Sequence, residues 1–130
     1  MKDHYKTNGA FSWNELMTTD PEAAKLFYAE LFGWELEDYP MEETNYTVVK
    51  VGGEGQGGIM QIPPEAKGAP PNWGTYITVD DVDATVEKAT TLQATVLMPP
   101  RDVPEVGRMA IVQDPQGAVF MVITYVDMNA

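Results

Sequence analysis

The clearest fold signal in the sequence is a strand, a helix cap and a helix in direct succession at residues 11–33, FSWNELMTTDPEAAKLFYAELFG. Large side chains on every second residue of the first seven predict a half-buried strand. Asp20 and Pro21 are typical of a helix start, since aspartate caps exposed amides and proline fits the first turn. Apolar residues then recur at helical spacing, and Gly33 predicts the helix end.

The rest of the sequence repeats this order of elements. Strands are predicted over residues 34–36, 45–51 and 59–62, followed after residue 71 by a strand at 74–79, a capped helix at 81–92, a strand at 95–98 and a hairpin at 108–125. A shift of 61 residues superposes strand on strand and cap on cap, with identities at Asp20 and Asp81, Ala23 and Ala84, Leu31 and Leu92, Leu36 and Leu97, Val51 and Val112, Met60 and Met121, and Ile62 and Ile123.

The sequence therefore predicts an α+β fold built from two tandem βαβββ modules. The first module covers about residues 9–62 and the second about 72–125, joined by a Pro- and Gly-rich connector at 63–71, within one domain spanning 1–130. The alternative is a pair of unrelated α+β segments of similar length.

Three motifs carry a family resemblance: WNEL at residues 13–16 with the helix after it, VDDVDA at 79–84, and DPQGA at 114–118. Together they resemble the vicinal-oxygen-chelate superfamily, which includes glyoxalases, bleomycin-resistance proteins and extradiol dioxygenases. The resemblance implies two curved mixed sheets, each with one main helix, paired into a U-shaped cavity. It also implies a homodimer and, in metal-dependent members, a divalent ion held by His or Glu on the first and last strands of each half.

Composition excludes several classes of protein. The 130 residues include no cysteine and carry a formal net charge of −12. The absence of cysteine excludes disulfides and thiolate chemistry, and the acidity argues against a nucleic-acid partner, which needs a basic surface. Apolar runs are too short to cross a bilayer, and residues 1–6 lack the apolar stretch of an export signal, so we expect no membrane partner and a cytoplasmic location.

The positions that the resemblance assigns to metal ligands hold no ligand side chain. Counted from the helix caps and the last turn, they are Trp13 and Gly74 in the first strands and Met60 and Met121 in the last strands. Indole and hydrogen cannot coordinate a divalent cation, and thioether does so poorly. The only histidine, His4, precedes the first strand and is predicted to be a mobile surface residue. We therefore expect no metal and no cofactor.

Strand alternation, together with the geometry that the family resemblance implies, groups aromatic, methionine and charged side chains on one face of the predicted sheets. Trp and Tyr offer stacking surfaces and Met adapts its shape, so this face suits a small, partly aromatic or cationic ligand. The predicted ligand-binding residues are Trp13, Glu15, Tyr46, Lys50, Met60, Tyr76, Met109 and Met121. The alternative is that these side chains simply fill the cavity.

Glu15 is the most informative charge, because a carboxylate on an inward face needs a partner. Lys50 is one candidate, in a structural ion pair. Otherwise Glu15 is a candidate anchor for a ligand amine or a general base beside Tyr76, and Glu15 and Tyr76 are the candidate catalytic groups. The glycine-rich residues 52–58 lack the Gly-Lys-Ser/Thr pattern of a phosphate loop and predict a flexible hairpin rim or a lid.

Three functional hypotheses follow from these features. The first is a metal-free, glyoxalase- or bleomycin-resistance-like protein that binds a small molecule in the sheet cavity. The second is a lyase, isomerase or dioxygenase-type enzyme of the same superfamily, with acid–base chemistry on Glu15, Tyr76 or Lys50. The third is a structural or regulatory dimer with a filled cavity. Thermal stabilisation by a metal would favour the enzyme, stabilisation by an aromatic or cationic ligand would favour the binding protein, and stabilisation by neither would favour the filled cavity.

Overall fold

A computed structural model describes residues 3–40, 45–63 and 68–126. These residues form two compact units: Trp13–Gly74 is the first, and residues 3–12 together with 75–126 are the second. The predicted connector at 63–71 lies partly outside the described residues.

The first unit follows the predicted βαβββ order. Its elements are β1 (Phe11–Thr18, whose first two residues belong to the second unit), α1 (Pro21–Phe32), β2 (Glu35–Pro40), β3 (Asn45–Val51) and β4 (Glu54–Gln61). The strand order is β2-β3-β4-β1, with β1 parallel to β4 and the other neighbours antiparallel. Asp20 caps α1 by accepting a hydrogen bond from the Ala23 amide at 3.1 Å, and Gly33 ends the helix with a left-handed φ of 71°.

The second unit repeats the same topology, which confirms the predicted α+β class. Its elements are β5 (Asn72–Thr78, which begins in the first unit), α2 (Val82–Thr91), β6 (Thr95–Val103), β7 (Gly107–Gln113) and β8 (Val119–Tyr125). The order is β5-β8-β7-β6, with β5 parallel to β8 and the other neighbours antiparallel. Asp81 caps α2 by accepting from the Ala84 amide at 3.1 Å. Within the described ranges, neither α1 nor α2 nor any other helix is long and apolar enough to cross a membrane.

Each unit has its own hydrophobic core between its helix and its sheet. The buried core of the first unit is Leu16, Val49 and Ile59. That of the second unit is Val79, Val82, Val86, Ala110, Val112 and Val122. Because side chains alternate along a strand, the strand neighbours of these residues point away from the helix. We call that side of each sheet the inner face.

The glycine-rich stretch is mostly strand. β4 begins at Glu54 rather than at residue 59, so Gly55, Gly57 and Gly58 lie within it. The turn is a two-residue one, Gly52 and Gly53, whose φ values of 59° and 83° fit the tight hairpin turns that need positive φ. The predicted hairpin is therefore confirmed at Gly52 and Gly53, whereas the prediction that residues 54–58 belong to its flexible rim or to a lid is wrong, because they are strand.

Strand pairing shows which inner-face residues are equivalent in the two units. Glu15 pairs with Gly58, while Tyr76, the residue that the 61-residue shift places on Glu15, pairs with Met121. Met121 is therefore the counterpart of Gly58, and the predicted equivalence of Met60 and Met121 is wrong. The last strand of the second unit therefore lies 63 residues after that of the first unit, two residues more than the shift of 61. β6 accommodates extra residues as bulges, with register shifts between Val96 and Arg101.

The third strands of the two units align in the same corrected register. Thr47 pairs with Ile59, and Ala110 pairs with Val122. Since Ile59 and Val122 are equivalent core residues, Tyr46 and Met109 are also equivalent. The equivalent inner-face residues are thus Glu15, Tyr46 and Gly58 in the first unit and, in the same order, Tyr76, Met109 and Met121 in the second.

Candidate functional site

A hydrogen-bonded cluster of Trp13, Tyr46 and Glu15 lies on the inner face of the first unit. Trp13 Nε1 donates to the Tyr46 hydroxyl at 2.8 Å, and that hydroxyl donates to Glu15 Oε1 at 3.0 Å. Glu15 is only 4% exposed, whereas both aromatic side chains are half-buried. Because the phenol accepts one hydrogen bond and donates the other, the cluster fixes both rings relative to the carboxylate.

Two glycines of β4 make room for the two rings. A methyl group on Gly55 would lie 3.3 Å from Trp13 Cη2, a tight contact that the ring could relieve by moving a few tenths of an ångström. A methyl group on Gly58 would overlap the Tyr46 hydroxyl and approach Tyr46 Cε2 to 2.6 Å. Any side chain at Gly58 therefore forces Tyr46 away from Glu15. The glycines form the floor of the cluster, a role that is invisible in a sequence where glycine usually indicates a turn.

Lys50 on β3 and Met60 on β4 do not belong to this hydrogen-bonded cluster and contact other side chains. Lys50 Nζ forms an ion pair with Glu37 on β2, which raises the pKa of Lys50 and lowers the pKa of Glu37. The structure thus pairs Lys50 with Glu37, while Glu15 receives the Tyr46 hydroxyl. Met60 is half-buried and lies beside Met17 across β4 and β1.

The predicted site residues of the second unit come together but are nearly inaccessible. Tyr76, Met109 and Met121 are 6%, 8% and 3% exposed. The Tyr76 hydroxyl points to the Met109 sulfur at 3.9 Å, a weak hydrogen bond. In this unit the burial favours the interpretation that the side chains fill the inner face.

His4 does not behave as the mobile tail residue that was expected. It lies in a short 3-10 turn, Asp3–Tyr5, and its carbonyl accepts a hydrogen bond from Thr78 Oγ1 at 2.7 Å. Its ring packs against that of Tyr5 with centroids 4.1 Å apart. The turn is therefore in contact with β5 rather than extending away from it as a free tail.

The donors at the positions assigned to metal ligands do not fit a divalent cation. Trp13 uses its indole N–H on Tyr46, and Gly74, Met60 and Met121 offer hydrogen or thioether. Among the residues that the structure describes, no group of three or more His, Cys, Asp or Glu side chains could hold a metal ion.

The βαβββ fold of the two units agrees with a comparison of the sequence against known protein families. Residues 4–122 match the model of the Glyoxalase/Bleomycin resistance protein/Dioxygenase superfamily, and the chain belongs to this family.

Relatives and solved structures give finer likenesses. The chain is 44% identical over 113 residues to CFP32 of Mycobacterium tuberculosis (strain CDC 1551 / Oshkosh), a protein named as a glyoxylase, covering 85% of this chain and 43% of that protein. It is 30% identical over 139 residues to the anthracycline biosynthesis protein DnrV of Streptomyces peucetius, covering 88% and 46%. This chain thus spans less than half the length of either relative.

The fold is also seen in a solved structure of Streptomyces coelicolor methylmalonyl-CoA epimerase, a variant in complex with 2-nitronate-propionyl-CoA. The TM-score is 0.68 at 16% sequence identity, over 93% of this chain and 100% of that chain. At this identity the likeness shows the fold, and function has to be argued from the site.

Proposed function

We propose that this chain is a metal-free member of the family that binds a small, flat, partly aromatic or cationic molecule on the inner face of its first unit. The observation that carries the proposal is the Trp13–Tyr46–Glu15 cluster, where hydrogen bonds hold two half-buried rings beside one buried carboxylate. As the sequence analysis predicts, we place this activity in the cytoplasm.

Each part of the cluster supplies one kind of recognition. The indole and phenol present flat faces for stacking, and a cation over such a face gains further attraction. Glu15 adds a carboxyl group beside the two rings, and the net charge of −12 draws cations toward the protein. Met17 and Met60, half-buried next to the cluster, adapt to the outline of a ligand.

The name of the Streptomyces peucetius relative supports an aromatic ligand. That protein is named for anthracycline biosynthesis, and anthracyclines contain fused, flat aromatic rings. A molecule of this kind matches the stacking surfaces of Trp13 and Tyr46. Sequestration of such a compound, as in a bleomycin-resistance-like role, is the specific form of the proposal.

Titration with doxorubicin, an anthracycline that carries an amine, tests the proposal. We expect Trp13→Leu to weaken binding at least about tenfold, because the stacking surface is lost. Trp73→Phe is the matched control, since Trp73 packs against Tyr28 and Trp34 outside the cluster. Calorimetry on the three proteins, with tryptophan emission in parallel, measures the difference. Equal affinities for the wild type and Trp13→Leu contradict the proposal.

A thermal-melt panel of aromatic and cationic compounds covers ligands other than doxorubicin. A ligand present at 100 times its Kd stabilises a protein by about 2.7 kcal/mol, which gives a clear rise in Tm. If no compound in the panel raises the Tm, the filled-cavity hypothesis replaces this one. A rise of several degrees with Ni²⁺, Zn²⁺ or Mn²⁺ would contradict the metal-free assignment.

A second candidate is a metal-free isomerase or lyase with Glu15 as general base. It is favoured by the burial of Glu15 and its hydrogen bond from Tyr46, an arrangement that fixes a carboxylate for proton transfer. Deuterium exchange at C2 of methylmalonyl-CoA, followed by NMR, is a first test with the substrate of a structural neighbour. Exchange that Glu15→Gln abolishes supports the enzyme, and a protein that binds ligands without exchange supports the binder.

A further inference from the structure

Residues 3–8 lie against the inner face of the second unit, to which they themselves belong. The His4 carbonyl accepts a hydrogen bond from Thr78 Oγ1 at 2.7 Å, and the Tyr5 ring packs edge-on against that of Tyr125 with centroids 5.0 Å apart. Thr78 and Tyr125 are inner-face residues, because strand alternation turns them away from the buried core of the unit. We call residues 3–8 the strap.

The two inner faces differ in burial at the positions where the strap lies. In the second unit Thr78 pairs with Ile123, and both are 3% exposed. The equivalent pair in the first unit is Met17 and Met60, and both of these side chains are half-buried. Ile123 is two residues from Tyr125 on the same face, so it lies between the two contacts of the strap. The strap thus covers a part of the inner face that is partly open in the first unit.

The strap is a self-contained turn followed by a glycine. The Lys6 amide donates to the Asp3 carbonyl at 2.9 Å within the turn, and at its end Asn8 Oδ1 accepts from the Asp80 amide at 2.9 Å. Gly9 follows with a positive φ of 92°, and a Cβ at this glycine would meet nothing within 4 Å. A preformed turn next to a glycine with open space around it can swing away as a unit while the strands stay paired.

The closed strap leaves one polar atom unsatisfied. His4 Nδ1 is buried and has no hydrogen-bond partner in the part of the chain that the structure describes. A buried polar atom without a partner costs free energy, and opening the strap recovers it because water then reaches the ring. The Tyr125 ring is held from another direction, since its hydroxyl is hydrogen-bonded to Ser12 Oγ at 2.8 Å. The surface beneath the strap therefore stays organised when the strap leaves.

We propose that the inner face beneath the strap is a second binding site, for a small molecule that joins an aromatic ring to a carbonyl group. The strap itself supplies both groups: Tyr5 provides the ring, and the adjoining His4 carbonyl accepts from Thr78. A ligand with the same two groups makes both contacts in place of the strap, and the strap competes with it. This competition lowers the apparent affinity in proportion to the fraction of chains whose strap is open.

Calorimetric titration of the whole chain with N-acetyl-L-tyrosinamide tests this proposal, because the acetyl carbonyl of this compound is placed relative to its ring as the His4 carbonyl is to Tyr5. We expect Tyr5→Ala to bind the compound at least about tenfold more tightly than the wild type, since the strap no longer fills the place of the ring. Addition of Thr78→Val should cancel most of the gain, because the donor to the carbonyl is lost. Tyr39→Ala is the matched control, since it removes a 44%-exposed tyrosine from β2, and it should bind like the wild type.

Hydrogen exchange of the wild type gives a second measurement that needs no variant. The Asp80 amide donates to Asn8 Oδ1 of the strap, whereas the neighbouring Val79 amide donates to the Ile123 carbonyl. With N-acetyl-L-tyrosinamide in excess, exchange at Asp80 should become several-fold faster, while exchange at Val79 should stay the same or slow down. The reason is that the compound displaces the strap and leaves the strands paired.

Equal affinities of Tyr5→Ala and the wild type overturn the proposal, and so does exchange at Asp80 that is unchanged by the compound. A gain in affinity that survives Thr78→Val also overturns it, because the compound would then only fill the space of the missing ring. If circular dichroism shows that Tyr5→Ala does not fold, the exchange measurement on the wild type decides. Binding at the Trp13–Tyr46–Glu15 cluster is common to all of these proteins, so the differences between them report the second site alone.

Discussion

At equivalent positions of the two inner faces, the first unit carries Glu15, Tyr46 and Gly58, and the second carries Tyr76, Met109 and Met121. In each unit the first-strand residue contacts the third-strand residue: Tyr46 with Glu15 at 3.0 Å, and Tyr76 with Met109 at 3.9 Å. The residue on the strand between these two strands differs in the two units. Gly58 leaves room above the strand, whereas Met121 fills the same place. One topology thus supports a polar, half-open cluster in one unit and a packed apolar core in the other.

The two helices also differ, in how much of their apolar surface is buried. α2 buries Val82 and Val86, whereas no residue of α1 is fully buried and its Leu26, Phe27 and Leu31 are exposed. The first unit therefore carries the candidate ligand site, and the second carries the larger buried core. Duplication followed by specialisation of one unit explains this division without any change of strand order.

Truncation of one methionine on each inner face should produce the largest difference between the units. Met121→Ala should cost about 2–5 kcal/mol of unfolding free energy, since a 3%-exposed methionine leaves a cavity. Met60→Ala should cost about 1 kcal/mol, because the Met60 side chain is only half-buried. Urea denaturation measures both. Equal losses would mean that both inner faces are packed alike and would break the comparison.

Alanine substitutions at Gly58 and Gly55 should distinguish a loss of ligand binding from a general loss of stability. Gly58→Ala displaces Tyr46 and should cost about 1–3 kcal/mol, with loss of ligand binding. Gly55→Ala meets only a 3.3 Å contact and should change stability by about 0.5–1 kcal/mol at most. Denaturation combined with the Trp13 emission maximum follows both effects. Normal ligand binding by Gly58→Ala would show that Tyr46 does not need its place above this glycine.

The helix caps should respond equally, because they are the same local structure in both units. Asp20 and Asp81 each accept from the amide three residues on, at 3.1 Å. Asp20→Ala and Asp81→Ala should each cost about 1 kcal/mol, and the serine variants should recover most of it. A loss confined to one cap, measured by thermal denaturation, would show that tertiary packing rather than capping decides the stability of that helix.

The smallest expected effect is the acid sensitivity of an exposed ion pair in the second unit. Arg108 donates to Asp83 at 2.7 and 2.9 Å and holds the pKa of that carboxyl below its ordinary value. A depressed pKa stabilises the fold above the unfolded-state pKa of about 4, and this stabilisation is lost as pH falls through the folded-state value. Asp83→Asn should lower the Tm by only about one degree at pH 7, and the difference should vanish near pH 2. A difference that persists there would show a packing effect instead.

Local patterns predicted much of the fold. Asp20, Asp81 and Gly33 act within one helical turn, so their roles are readable from neighbouring residues. Two-residue alternation likewise predicted that Trp13 and Glu15 share a face, and the family resemblance added Tyr46 to it. Caps and alternation along one strand are local effects, and the structure confirms the order of the elements, although β4 begins five residues earlier and β6 ends five residues later than predicted.

Features that depend on pairing between distant strands were not readable. The counterpart of Gly58 depends on bulges in β6, which a shift by a constant number of residues cannot represent. The partner of Lys50 depends on Glu37 across the β2–β3 pair. The exposure of Leu26, Phe27 and Leu31 on α1 could not be predicted either, because apolar residues at helical spacing form the same pattern in a buried helix and in an exposed one.

The most direct test of a ligand site in the first unit is removal of one hydroxyl group from each inner face. Tyr46→Phe deletes the link between Trp13 and Glu15, whereas Tyr76→Phe deletes a weak contact to Met109. In calorimetric titrations with doxorubicin, or with the strongest stabiliser from the melt panel, we expect Tyr46→Phe to weaken binding about tenfold and Tyr76→Phe to leave it unchanged. The reverse result, with Tyr76→Phe weakened and Tyr46→Phe unchanged, would contradict the account.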